Sequence, residues 1–81
     1  METYTLLCFG IARDIAGAGK LSLHLRPRPS IADVRQQLIA DYPALGELVS
    51  FAIARNEAYA AADEVVESGD VLAIIPPVSG G

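Results

Sequence analysis

The sequence predicts an α+β domain in which a mixed sheet of about four to five strands packs on one main helix. Three features predict it. Lys20 to Arg26 alternates strictly between apolar and polar residues, as a half-buried strand does. Ile31, Val34, Leu38, Ile39 and Tyr42 recur at helical spacing behind a good N-cap, Ser30. The two most apolar segments, Thr3–Phe9 and Val71–Ile75, sit near opposite ends of an 81-residue chain, which has room for one small core.

Thr3 to Phe9 is β-branched, aromatic and apolar, and reads as the first strand, closed by Gly10. Ile11 to Ala16 fits a helical turn, and Gly17-Ala18-Gly19 breaks it. The next strand, Lys20 to Arg26, sets Leu21, Leu23 and Leu25 against Ser22, His24 and Arg26, and the short link makes it an antiparallel neighbour of the first. Pro27 and Pro29 stiffen the connection to a helix from Ile31 to about Tyr42. Asp33 sits at its N3 position, and Pro43 stops it. Ala44 to Ser50 fits a short helical turn. Phe51 to Arg55 reads as a strand, Asn56-Glu57 as a turn, Ala58 to Ala61 as a return strand and Asp63 to Glu67 as irregular chain. Ser68-Gly69-Asp70 is a turn before the last strand, Val71 to Ile75.

Side-chain parity places Leu6 and Cys8 on one face of the first strand and Leu7 and Phe9 on the other. In the last strand Leu72 and Ile74 oppose Val71, Ala73 and Ile75. These two strands are expected to form a central parallel pair. One helix covers one face only, so the other is left with apolar side chains and no covering layer, as at a protein interface.

Composition narrows the functional classes. An apolar content of 52% is too high for a disordered chain. Ten acidic and six basic residues give a net charge of −4, which disfavours nucleic acid and anionic membrane as partners. A single Cys allows no internal disulfide and no Cys-based zinc site, and points to a reducing, cytoplasmic setting. METYTLL lacks the basic and long apolar regions of a signal peptide, and no apolar run approaches the ~20 residues of a membrane span.

The chemistry points to the C-terminus. Residues 1–75 read as the domain and residues 76–81, Pro76-Pro77-Val78-Ser79-Gly80-Gly81, as an extended flexible tail. The prolines end the strand stiffly, and the small residues after them form a narrow strip able to enter a tight tunnel. Its tip is the α-carboxylate of Gly81. A carboxylate is a poor electrophile. Adenylation by ATP would give it a good leaving group, and a sulfur nucleophile would then convert the acyl adenylate to a thiocarboxylate. The sequence has no phosphate-binding glycine loop, so activation falls to a separate protein and this chain binds no cofactor of its own.

The chain resembles the small subunits of molybdopterin synthase, ubiquitin-like sulfur carriers of β-grasp fold. The resemblance rests on Phe9-Gly10-Ile11-Ala12-Arg13-Asp14-Ile15-Ala16-Gly17, Ser30-Ile31-Ala32-Asp33-Val34, Ala54-Arg55-Asn56-Glu57, Ser68-Gly69-Asp70-Val71 and, most specifically, Pro76-Pro77-Val78-Ser79-Gly80-Gly81. Arg55 departs from it, since an apolar residue usually precedes the Asn. The resemblance implies that an E1-like adenylyltransferase activates Gly81 with ATP and that a sulfurtransferase supplies sulfur. The thiocarboxylate then enters the large synthase subunit, in a heterotetramer of two small and two large chains, and sulfurates cyclic pyranopterin monophosphate to build the molybdopterin dithiolene. Gly81 and Gly80 carry the chemistry. Phe9, Tyr59 and Ile75, with Arg13, Pro76, Pro77, Val78 and Ser79, are expected to face partners. No metal ligand set is expected.

Other candidates are weaker. Cys8 lies mid-strand among apolar neighbours and is expected in the core. A Cys8–His24 dyad fails on parity, and His24 has no second His or Cys nearby to share a metal. Asp63, Glu64, Glu67 and Asp70 read as a solvated acidic turn, and Arg13 as half of a surface ion pair. Tyr59 is left open between core and interface. Competing functions are a ubiquitin-like protein modifier, a thiamine-pathway sulfur carrier and a β-grasp interaction module without C-terminal chemistry.

Overall fold

The computed structural model describes residues 1–48 and 51–76. Its strands are β1 (Glu2–Cys8), β2 (Lys20–Leu25), β3 (Ala52–Arg55), β4 (Ala58–Tyr59) and β5 (Leu72–Ile75); helix α1 is Gly10–Ala16, helix α2 is Ile31–Asp41, and a 3₁₀ turn spans Pro43–Glu47. The sheet order is β2-β1-β5-β3-β4. Its centre is the parallel pair expected from the two chain ends, with Leu6 opposite Leu72 and Cys8 opposite Ile74. All other pairings are antiparallel.

Period-2 parity settles which side each strand buries. Leu6, Leu23, Ile53, Leu72 and Ile74 point to one side, where they meet Val34 and Leu38 of α2, Leu45 of the 3₁₀ turn and Val66; all nine are fully buried. Helix α2 starts where its sequence dictates. The Asp33 N–H donates to Ser30 Oγ at 3.1 Å and the Ser30 N–H donates to Asp33 Oδ2 at 3.0 Å, a reciprocal capping box. Ile39 departs from the expected buried stripe. It is 37% exposed, and its Cγ2 would lie 3.1 Å from a Cβ added at Gly46, so it reaches back over the 3₁₀ turn.

Two local expectations need correction, and the segment read as irregular gains a tie to α2. The first strand ends at Cys8, because the Phe9 carbonyl already accepts from Ala12 and Arg13 at the start of α1. The return strand is only Ala58–Tyr59, because the Ala61 N–H turns away to Glu64 Oε2. The Asp63–Glu67 segment is strapped to the start of α2. Val65 bridges Ser30, the Ile31 N–H donates to the Glu64 carbonyl, and the Val66 N–H donates to the Pro29 carbonyl.

Candidate functional site

The side of the sheet away from α2 is not uniformly apolar. Across β2 and the start of β1 it presents polar pairs, Thr3 with His24 and Thr5 with Ser22. Beyond Leu7 it becomes apolar. Ala73 lies between Leu7 and Ala54, Ile75 lies beside Ala52, and Tyr59 flanks Ala54. Leu7, Phe9, Ala54, Glu57, Tyr59, Val71, Ala73 and Ile75 together line a shallow groove of about 340 Å³. Phe9 is 51% exposed, Val71 53% and Tyr59 74%. Exposed apolar side chains grouped in this way have no role within the monomer.

The groove gathers three of the residues expected to face partners: Phe9 from the β1–α1 junction, Tyr59 from edge strand β4 and Ile75 from β5. Tyr59, left open by the sequence, projects outward from the core. Pro76 follows Ile75 directly. It is half-buried, and its Cγ would lie 3.3 Å from a Cβ added at Gly10. Gly10 has φ +54°, so the chain crosses the start of α1 where both the backbone conformation and the space favour glycine. Pro77, Val78, Ser79, Gly80 and Gly81 lie outside the described residues.

Arg13 sits exposed on α1, away from the groove lining, and has no ion pair among the described residues, contrary to the surface salt bridge expected. Cys8 is buried on the helix side, where desolvation raises its thiol pKa and keeps it unreactive. His24 lies on the open side with Nδ1 3.2 Å from Thr3 Oγ1, so the two form no dyad. Among the described residues no cluster of three His, Cys, Asp or Glu could hold a metal ion, and no helix is long and apolar enough to cross a membrane.

In the sequence Arg55 stands out only as a departure from the resemblance. It organises the acidic residues. Its Nε donates to Asp70 Oδ2 at 2.5 Å, and Nη1 stands 3.5 Å from Glu64 Oε1. Asp70 also accepts from Asn56 Nδ2 at 3.0 Å and from the Glu67 N–H at 2.8 Å. Hydrogen bonds from Asn56, Arg55 and the Glu67 N–H lower the Asp70 pKa to about 2. Asn56 then grips Val71 at both polar atoms, its N–H donating to the Val71 carbonyl and its Oδ1 accepting from the Val71 N–H. Asp70 and Glu64 thus form with Arg55 a clasp that holds the entry to β5, while Asp63 and Glu67 stay exposed as a solvated turn would have them.

A five-stranded mixed sheet of this order, with its main helix on one side and a parallel central pair, is the ubiquitin-like β-grasp fold. The family model described as "ThiS family" matches residues 6–81, and the chain belongs to that family. It is 35% identical over 77 residues to the molybdopterin synthase sulfur carrier subunit of Arabidopsis thaliana, with 94% of this chain and 80% of that protein covered. It is 32% identical over 82 residues to small archaeal modifier protein 1 of Haloferax volcanii, with 90% and 94% covered. The crystal structure of that modifier superposes with a TM-score of 0.83 at 26% identity, covering 99% of this chain and 100% of the other.

Proposed function

We propose that this chain is the sulfur carrier subunit of a molybdopterin synthase. The observation that carries the reading is where Pro76 leaves the sheet. Pro76 leaves the central strand beside an apolar groove, and the sequence runs on to Gly80-Gly81 in a chain 35% identical to a protein of that name. In this reading the domain docks through Phe9, Tyr59 and Ile75 while the narrow tail enters the large subunit.

The chemistry proceeds at Gly81. An E1-like partner attacks the α-phosphate of ATP with the Gly81 carboxylate, releasing pyrophosphate and leaving an acyl adenylate. A sulfur nucleophile displaces AMP to give the thiocarboxylate. Its sulfur is a better nucleophile than the original oxygen: it attacks a carbon of the pterin precursor in the large subunit and displaces an oxygen substituent there, and water then cleaves the acyl–sulfur bond to return the Gly81 carboxylate, two such transfers completing the dithiolene. The small chain supplies the sulfur atom and the docking surface, and the substrate-binding groups belong to the large subunit. The cytoplasm, where ATP and reduced sulfur donors meet, is the compartment this cycle needs.

The similarity to a protein named small archaeal modifier protein 1 favours a second reading: the activated glycine of this chain would be transferred to a lysine amine of a target protein. One experiment separates the two. The chain is purified from cells containing its activating enzyme, and its intact mass and C-terminal peptide are measured. Exchange of one oxygen for sulfur at Gly81, lost on incubation with large subunit and pterin precursor, is the expected result. Isopeptide-linked adducts without sulfur would favour the modifier. An unmodified carboxylate with no adducts, despite active enzyme and ATP, would overturn both.

A further inference from the structure

The β3–β4 connection is a two-residue hairpin turn, Asn56-Glu57, flanked by the Arg55–Ala58 pair. Both residues have positive φ, 52° and 69°. That is the signature of a type I′ turn, which favours Asn at the first position and Gly at the second. Asn56 satisfies the rule and is held by Asp70 and Val71. Glu57 breaks it, placing a long side chain where glycine costs least.

Nothing among the described residues explains the choice. Among the described residues the Glu57 carboxylate makes no hydrogen bond and no ion pair, whereas Glu64, Glu67 and Asp70 are all paired with arginines. Glu57 is exposed, and among the described residues it is the one charged residue in the lining of the apolar groove. A partner that covers the groove must therefore desolvate this carboxylate or meet it with a cation, and leaving it unpaired would be costly.

We propose that Glu57 is a specificity contact of the docking face, read by a lysine or arginine on the partner that receives the tail. The occupant is a protein surface with an apolar centre and one basic side chain at its margin. This deepens the sulfur-carrier reading and rests on it. Nonpolar area supplies the affinity, and the single charge sets register and excludes partners carrying an acid at that point.

The test uses the full chain and the cognate synthase large subunit, titrated by calorimetry at low and high salt, with thermal melting of each free variant. Glu57→Gln keeps the shape and removes the charge. It is expected to weaken binding about tenfold at low salt, with the gap to wild type narrowing as salt rises. Glu57→Gly relieves the turn and removes the side chain. It is expected to weaken binding similarly while its Tm stays level or rises by about 4 °C. Falling affinity with undiminished stability is a combination that a purely structural residue would not give. If wild type binds and Glu57→Gln binds equally well at both salts, the Glu57 assignment is overturned and the sulfur-carrier reading stands. If wild type itself fails to bind, that reading falls and this one with it.

Discussion

Truncating Tyr59 to Ala is expected to separate docking from folding. Tyr59 is 74% exposed on the two-residue edge strand β4, against the groove. An aromatic side chain offers ~200 Å² on burial, so roughly 150 Å² remains for a partner to cover. At ~25 cal/mol per Å² this is about 3–4 kcal/mol, of which the hydroxyl's hydration and the retained Cβ remove about 1 kcal/mol. The remaining ~2–3 kcal/mol corresponds to about a 30- to 150-fold rise in Kd for the large subunit. The share already buried in the monomer is only ~50 Å², which limits the loss of folding stability to about 1 kcal/mol. Calorimetric titration with the large subunit and a thermal melt of the free chain measure the two quantities side by side. Tyr59→Phe, which keeps the ring, should bind within a few-fold of wild type. An Ala variant that folds normally and binds within about threefold of wild type would refute the assignment of this face as the docking surface.

Three further outcomes are expected. Gly10→Ala forces a side chain onto a backbone at φ +54° and places its Cβ 3.3 Å from Pro76 Cγ; it should cost about 1–3 kcal/mol in urea denaturation, and a loss under 0.5 kcal/mol would show that the site relaxes freely. The Asp70 pKa is lowered from 3.8 to about 2 in the folded state, so its stabilising contribution is complete above the unfolded value and disappears as pH falls through about 2. Asp70→Asn should therefore flatten the acid limb of the stability profile between about pH 4 and pH 2, and an unchanged limb would contradict the clasp. Ser30→Ala removes one half of the capping box and should cost about 1 kcal/mol, read from the shift in denaturation midpoint at constant m-value.

Much of the architecture was legible because it is written in short-range periodicity. Alternation in Lys20–Arg26 sorted Leu21 and Leu23 inward, and parity in β1 and β5 placed Phe9 and Ile75 on the open side. The capping box needed only Ser30 and Asp33, three residues apart. What escaped depends on contacts between distant positions. Arg55 meets Asp70 fifteen residues on, across a turn whose path no local pattern specifies. The strap from Glu64 to Ile31 spans a still longer stretch of sequence, so the tie between the acidic run and α2 has no local signal. Tyr59 could not be assigned because a two-residue strand carries too little periodicity to fix which way it faces. The split of the open face into polar and apolar halves required the register, which pairs Leu7 with Lys20 on one side and with Ala73 on the other.

The position of β5 has a mechanical consequence. Any pull on the chain beyond Pro76 would reach Ile75 first, and from there a strand gripped on both flanks, by β1 on one side and β3 on the other. Force applied along the strand axis shears both ladders together, whereas an edge strand such as β4 would peel away one bond at a time. In the sulfur-carrier reading, a tail that continues from the innermost strand would load two ladders at once, so the domain would resist unfolding as a single body.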